Sequence, residues 1–491
     1  MATDLIITAF FIALILVILT IILFKTKAKP QLKDLNLPPG SYGWPILGET
    51  IEFIRTRNHG SPEKFIGDRM KKYNTQIFKT SLLGESIAVL CGPTGNKLLF
   101  SNENKLVTVW WPASVRKLLG TCLATTEGIQ GMQMRKMVSY FVSPDAFTKL
   151  YIKTMDIVSQ QHITTHWQGK HELKVFPAIK LYTFELACRL FMSIEDPMQI
   201  KMLAALFNVF LGGIISIPFD FPGTKFYKAK RATADIKKQL GRIVRQRKKD
   251  LEQKIALPSQ DLLSHLLVSP DENGKFMSES VIVNNILLLL FAGHDTSSCA
   301  ITMLIKTLAE HPQVYEAVLR AEQNEIASSK EAGEFLQWED IQKMRYSWNV
   351  VSETMRLWPP ITGAFREALF YWNALVTHTD SSLFPDDTKF DPSRFDGAGP
   401  IPYSFVPFGG GPRMCLGKEF ARLEILTFLH NIIRRFRWNL LIPGEKIKCD
   451  PIPTPEKGLP IRLHPHKKPN TIIYFHEKSR IVFTLTELIT E

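Results

Sequence analysis

Leu5 to Phe24 is a run of twenty residues without a charge, broken only by Thr8 and Thr20. As a helix it is long enough to cross a bilayer's hydrocarbon core. Lys25, Lys27 and Lys29 follow at once, which places the downstream end in the cytosol. A cleaved signal peptide has a shorter apolar core and basic residues ahead of it, so the run predicts a single-pass anchor over residues 1–29. Pro30 to Pro45 then forbids helix and reads as a stiff hinge. Helical patterning around Pro62 to Tyr73 gives way to alternating strand-like runs at Ile77–Ser81 and Ser86–Cys91, with Gly84 between them as a hairpin turn. Residues 93–250 read as mostly helical. From Ser280 to Glu310 apolar residues fall on nearly every side, Ile282, Ile286 to Phe291, Ile301, Leu304 and Leu308 among them. That predicts a helix buried in the protein centre. A last patterned helix covers Lys418 to Phe436, with Phe420, Leu423, Leu426 and Leu429.

The chain has 491 residues, 45% of them hydrophobic and 22% charged, which excludes general disorder. Six scattered cysteines without any Cys-x-x-Cys argue against a disulfide scaffold or a zinc ribbon and for a reducing compartment. A formal charge of +13 suits an anionic membrane or an acidic protein partner. No nucleic-acid motif accompanies it, so no nucleic-acid partner is expected. Arg242 to Lys249 is a basic run on a helix and reads as a solvated face.

Three places carry candidate chemistry. Pro407-Phe408-Gly409-Gly410-Gly411-Pro412-Arg413-Met414-Cys415-Leu416-Gly417 is a glycine-rich loop that runs into the last helix. Free N–H groups and the positive helix end there favour a thiolate at Cys415. A thiolate beside an arginine suits an axial ligand to heme iron; the alternative is a buried loop cysteine. Ala292-Gly293-His294-Asp295-Thr296-Ser297 puts a glycine, an acid and a hydroxyl inside the buried helix, which is costly unless they have partners or work. Either Gly293 allows a bulge where Thr296 and Asp295 handle oxygen and protons, or the helix kinks at a back-bonded threonine. Glu353 and Arg356 share one helix face, and Arg394 offers a second arginine.

Phe408-x-x-Gly411-x-Arg413-x-Cys415-x-Gly417 resembles the heme-binding loop of the cytochrome P-450 superfamily. The other two motifs resemble its Ala-Gly-x-Asp-Thr and Glu-x-x-Arg patterns, in family order. The resemblance implies a mainly α fold with small β-sheets over residues 30–466, behind one N-terminal transmembrane helix. It implies heme b with Cys415 on the iron, Arg413 on a propionate, Phe408 near the sulfur, and Gly411 and Gly417 shaping the loop. Arg135 matches a propionate-facing arginine, although Gly131 stands where the family usually has tryptophan. Asp295 and Thr296 would be catalytic, with His294 only a neighbour. Glu353, Arg356 and Arg394 would form a structural triad. Trp111, Leu289, Ala292, Gly293, Ile361 and Phe365 would line the substrate pocket. Also implied are O2, NADPH electrons through NADPH–cytochrome P-450 reductase, and the endoplasmic reticulum membrane with the catalytic body facing the cytosol.

Glu103–Val107, Gly212–Pro218 and Trp348–Val350 look like the plant triterpene oxidases that act on beta-amyrin at C-28. That implies oxidation of a hydrophobic polycyclic terpenoid, in one step or on to the carboxylic acid. A taxane, another diterpenoid or a steroid is the alternative substrate. A heme-thiolate isomerase is a further alternative, against which Asp295 and Thr296 argue. The sequence departs from the pattern after Ala368, where roughly fifteen residues of hairpin, about two strands' worth, are missing. Their loss is expected to leave open strand edges in the main sheet and to threaten heme retention, as in an impaired splice form. Residues 467–491 form an atypical tail with no assigned role.

Overall fold

The computed structural model describes residues 37–466, except for a few interior positions such as 368–369, together with five positions between 12 and 19. Apart from those five, the anchor expected over residues 1–29 and the tail over 467–491 lie outside the described residues. Eight helices frame the site: α1 (Gly128–Ser139), α2 (Ile152–His166), α3 (Val175–Met192), α4 (Pro197–Ile214), α5 (Lys225–Glu252), α6 (Glu279–Glu310), α7 (Arg345–Leu357) and α8 (Lys418–Ile433). Among the described residues nine short strands complete it: β1 (Ile77–Leu82), β2 (Glu85–Leu90), β3 (Glu172–Lys174), β4 (Gly363–Arg366), β5 (Phe370–Asn373), β6 (Phe436–Leu440), β7 (Ile447–Cys449), β8 (Pro453–Pro455) and β9 (Pro460–Pro465). The architecture is mainly α with small sheets, as the sequence implied.

The all-round apolar pattern of α6 has its expected consequence. The helix runs through the centre of the largest core, packed against α3, α5, α7 and α8. One stripe escapes burial: Leu289, Gly293 and Thr296 are half-buried and Ala292 is exposed, in the middle of an otherwise buried helix. Their spacing, one helical turn apart, puts them on a single face. On that face Ala292 is exposed, while a Cβ at Gly293 would stand 3.6 Å from the Phe191 ring of α3.

The main sheet has the order β1-β2-β5-β4. β1 and β2 form the expected hairpin, turning at Gly84 with a φ of +82°. β2 and β5 are parallel, with Leu90 opposite Trp372, and β5 pairs antiparallel with β4, Arg366 opposite Phe370. The sheet corrects the expectation of open edges around the missing hairpin. The two strands that flank the gap pair directly with each other, in register. The outer edge of β4 is covered at its Arg366 end: Val109 bridges Arg366, and Glu367 N donates to Thr108 O at 2.7 Å. Thr108 Oγ1 donates to Glu367 Oε2 at 2.7 Å, and buried Arg366 pairs with buried Glu103 at 2.7 Å. Gly363 is needed in this arrangement, since a Cβ there would lie 2.4 Å from Trp372 O.

The basic run on α5 is only partly a solvated face. Arg247 is buried, ion-paired with Asp261, and bonded to Ser264 Oγ at 2.7 Å and Met192 O at 2.9 Å.

Candidate active site

The cysteine loop is held by its own backbone. Gly409 N donates to Val406 O, Met414 N to Gly411 O and Cys415 N to Phe408 O, at 2.9–3.0 Å. Gly409 and Gly411 take φ of +67° and +65°, a region that costs other residues steric strain. At Gly411 a Cβ would also sit 2.1 Å from Phe100 O, so the loop lies directly on the helix Gly92–Ser101. Cys415 is exposed on one side and surrounded by protein on the others. Burial pushes its thiol above the ordinary value, while the Gly417 N–H and the Arg135 guanidinium pull it down. The protein side of the thiol thus opposes the pull of the helix start.

Three arginines converge beside the loop. Arg413 donates to Leu123 O at 3.2 Å and Thr126 O at 2.8 Å. Arg135 donates to Met414 O. Arg366, which the sequence reading did not single out as a site residue, is close enough to depress the Arg413 pKa. Burial disfavours the charge on both Arg135 and Arg413, and Arg413 depresses Arg135 further. Gly131 is explained by the same geometry. A Cβ there would meet Thr126 O at 2.5 Å and Arg413 Nη2 at 3.3 Å, so no larger residue fits this approach. An accessible thiol beside convergent guanidiniums bonded largely to carbonyls fits a flat group with one metal and anionic side arms. These residues fit heme.

On α6, Asp295 is ion-paired with Lys180 of α3 at 3.1 Å, both side chains largely buried. Thr296 Oγ1 donates to Ala292 O at 2.7 Å. The helix is α throughout, so the bulge that Gly293 was expected to allow is absent and the threonine is back-bonded. His294 is buried against Phe184 and Phe207 and bonds Leu290 O through Nδ1 at 2.6 Å, which leaves it a packing residue.

Glu353 and Arg356 are both fully buried and joined by two bonds of 2.7 and 2.8 Å. Arg394 lies 3.4 Å from Glu353. Arg356 Nη1 also donates to His378 O at 2.8 Å, and Val406 N donates to His378 Nε2 at 2.9 Å. Since Val406 O anchors Gly409, His378 links the triad to the cysteine loop. Nothing in the local sequence around His378 signals this.

Around the expected pocket, Phe365 is half-buried, packed against Tyr371 with ring centroids 4.8 Å apart. The tryptophan packed edge-on against Phe365 is Trp110, at 5.3 Å. Trp111 is instead tethered to Ala124 O through its indole N–H at 2.9 Å. Ile361 is 40% exposed.

Four buried groups set a pH profile. Burial pushes the pKa of His294 down to about 4, and of His378 and His430 down to about 3, from 6.5. The unfolded chain binds protons there that the fold does not, so these groups add stability as pH rises to 6.5. Glu424 on α8 has the opposite sign. Burial raises it from 4.5 to about 8, so its contribution falls with pH across that window. The unfolding midpoint is expected to peak near pH 6.5, and Glu424→Gln to flatten the alkaline limb. A wild-type midpoint still rising between pH 6.5 and 8 would contradict this.

The cytochrome P-450 family profile matches residues 38–460. A beta-amyrin 28-monooxygenase of Medicago truncatula is 51% identical over 477 residues, covering 93% of this chain and 99% of that protein. One from Vitis vinifera is 51% identical over 478 residues, with the same coverage. Among solved structures, retinoic acid-bound cyanobacterial CYP120A1 superposes with a TM-score of 0.79 at 34% identity, covering 88% of this chain and 100% of that one. With the accessible thiol, the arginine cluster and the open stripe of α6 already described, this chain belongs to the cytochrome P-450 family of heme-thiolate monooxygenases.

Proposed function

We propose that this chain oxidises a beta-amyrin-type triterpene at C-28, by hydroxylation and onward to the carboxylic acid. The observation that carries the substrate is half-identity, over nearly the whole length, with relatives bearing that activity. Heme, when bound, supplies oxygen activation and C–H oxidation, using O2 and NADPH-derived electrons delivered by a reductase.

The residues of the chain do the rest. Cys415 would hold the heme iron through its sulfur. Arg413 and Arg135 would neutralise the anionic arms, while Phe408, Gly411 and Gly417 would shape the cradle. Leu289, Ala292 and Gly293 give the substrate an apolar wall, and Phe365, Ile361 and Trp111 border it. Thr296 offers a hydroxyl at that wall, and Asp295 holds a proton-accepting carboxylate one residue away. Glu353, Arg356 and Arg394 keep the preceding segment in place.

The Lys180–Asp295 pair sets a specific expectation. Asp295→Asn removes the carboxylate, while Lys180 keeps its bond to Asn208 Oδ1 at 3.3 Å, so the fold should survive. Turnover is expected to fall about 10²-fold, in the range of general acid–base effects, with a larger solvent isotope effect and little change in KM. Unchanged turnover would remove Asp295 from proton delivery.

We also propose membrane residence at the endoplasmic reticulum, with residues 30–466 in the cytosol. Besides the apolar stretch before Lys25, support comes from the segment after α4. Ile217, Phe219 and Phe221 are at least 60% exposed, with Lys225, Lys228 and Lys230 following on α5. An apolar surface rimmed by lysines suits a lipid interface.

The direct test is microsomal expression with a reductase, a carbon monoxide difference spectrum, and feeding with beta-amyrin. The strongly red-shifted band and C-28 products are expected. A band without turnover of beta-amyrin, but with turnover of a diterpenoid or steroid, overturns the substrate. Absence of the band overturns the enzyme and leaves an impaired form.

A further inference from the structure

Away from the cysteine loop, two histidines and a glutamate meet between α2 and α3. His162 and His166 stand one turn apart at the end of α2, on one face. Glu185 reaches them from α3. The ligand atoms of all three lie within 4.8 Å of one another, and the two imidazole centroids are 4.6 Å apart. Among the described residues this is the one cluster of histidine, cysteine and acid with such spacing.

The contact inside the cluster is a poor hydrogen bond and a good coordination edge. His162 Nδ1 and Glu185 Oε2 are 3.4 Å apart, beyond the usual N–H···O range. Two ligands on a tetrahedral Zn2+, each about 2.0–2.1 Å from the metal, subtend an edge of about 3.3 Å. The burial of His162 adds a second observation. Its side chain is fully buried, yet Nε2 has no partner. Nδ1, the nitrogen that faces the carboxylate, is the one an ion between the two groups would take, while Nε2 has no protein partner. Glu185 and His166 are only half-buried, which gives an ion an entry path and leaves an open position for water. The carbonyl end of α2 also favours a cation. Lys170 is the nearby charge that opposes it.

We propose that His162, His166 and Glu185 form a Zn2+ site that clamps α2 to α3. Two nitrogens and one carboxylate oxygen suit a borderline cation such as Zn2+ better than Ca2+ or Mg2+, which prefer all-oxygen shells. The site is independent of the oxidation chemistry.

The test uses untagged holoenzyme, freed of metal by dialysis against a mild chelator and titrated with Zn2+ alone. One equivalent is expected to bind saturably and to survive gel filtration. At a hundredfold excess over Kd the unfolding midpoint should rise by about 3 °C, and Mg2+ should not reproduce the shift. His166→Ala and Glu185→Gln should each weaken binding at least ~100-fold, because each removes one of three ligands. Both should keep the carbon monoxide band, which reports that they fold. No saturable binding to wild type overturns the proposal, whatever the variants do. So does wild-type binding by both folded variants, which would mean an adventitious ion only.

Discussion

Cys415→Ser is expected to lower oxidation to background, a fall of about 10³-fold or more, equal to at least ~4 kcal/mol of barrier. The loop geometry does not depend on the sulfur. Its backbone bonds run from Gly409 to Val406, Met414 to Gly411 and Cys415 to Phe408, and its two positive-φ glycines are untouched. The variant should therefore fold and present an alcohol in place of the thiol. An alcohol is a far weaker donor at neutral pH, so the electron density that favours O–O cleavage is withdrawn. The carbon monoxide difference spectrum should lose its strongly red-shifted band, or heme should be lost altogether. A variant that kept the band and the product would remove Cys415 as the axial ligand.

The largest effect on stability is expected at Glu353. Its carboxylate makes two bonds to Arg356, faces Arg394 and accepts from Asp391 N at 3.0 Å, with both members of the central pair fully buried. Glu353→Ala leaves the Arg356 charge in a desolvated site with only carbonyl partners at His378 and Lys389. Breaking one half of such a pair costs roughly 3–5 kcal/mol, against a total margin of about 5–15 kcal/mol for a typical folded protein. Little holoprotein should accumulate. A double replacement, Glu353→Met with Arg356→Leu, should recover part of the loss, because no charge is then stranded. Urea unfolding of the holoprotein distinguishes the two cases. If the single variant were as stable as the double one, the triad would not be the lock described above.

Much of this was legible in the sequence because its signals were local. The buried helix announced itself through unbroken apolar patterning, and the cysteine loop through glycines that no helix or strand accommodates. The β1–β2 hairpin followed from alternation about Gly84. What was not legible depends on residues far apart in the chain. Lys180 on Asp295, Arg366 beside Arg413, and His378 between the triad and Val406 are side chains whose meaning comes from packing alone. The gap after Ala368 was misjudged for the same reason. Counting missing residues suggested a broken sheet, whereas the flanking strands have complementary registers and close on each other.

The direct β4–β5 junction has a consequence for the order of folding. Arg366 and Phe370 are partners only four positions apart in sequence, so this contact closes almost no loop and forms at little entropic cost. Leu90 and Trp372, the next partners in the same sheet, are separated by most of the chain. The β4–β5 ribbon can therefore form by itself as soon as it is synthesised, keeping the free side of β5 for β2, which lies far earlier in the chain. A short junction thus hands the growing chain a finished template on which the older hairpin can dock, shortening the interval in which those early strands offer bare edges to other chains.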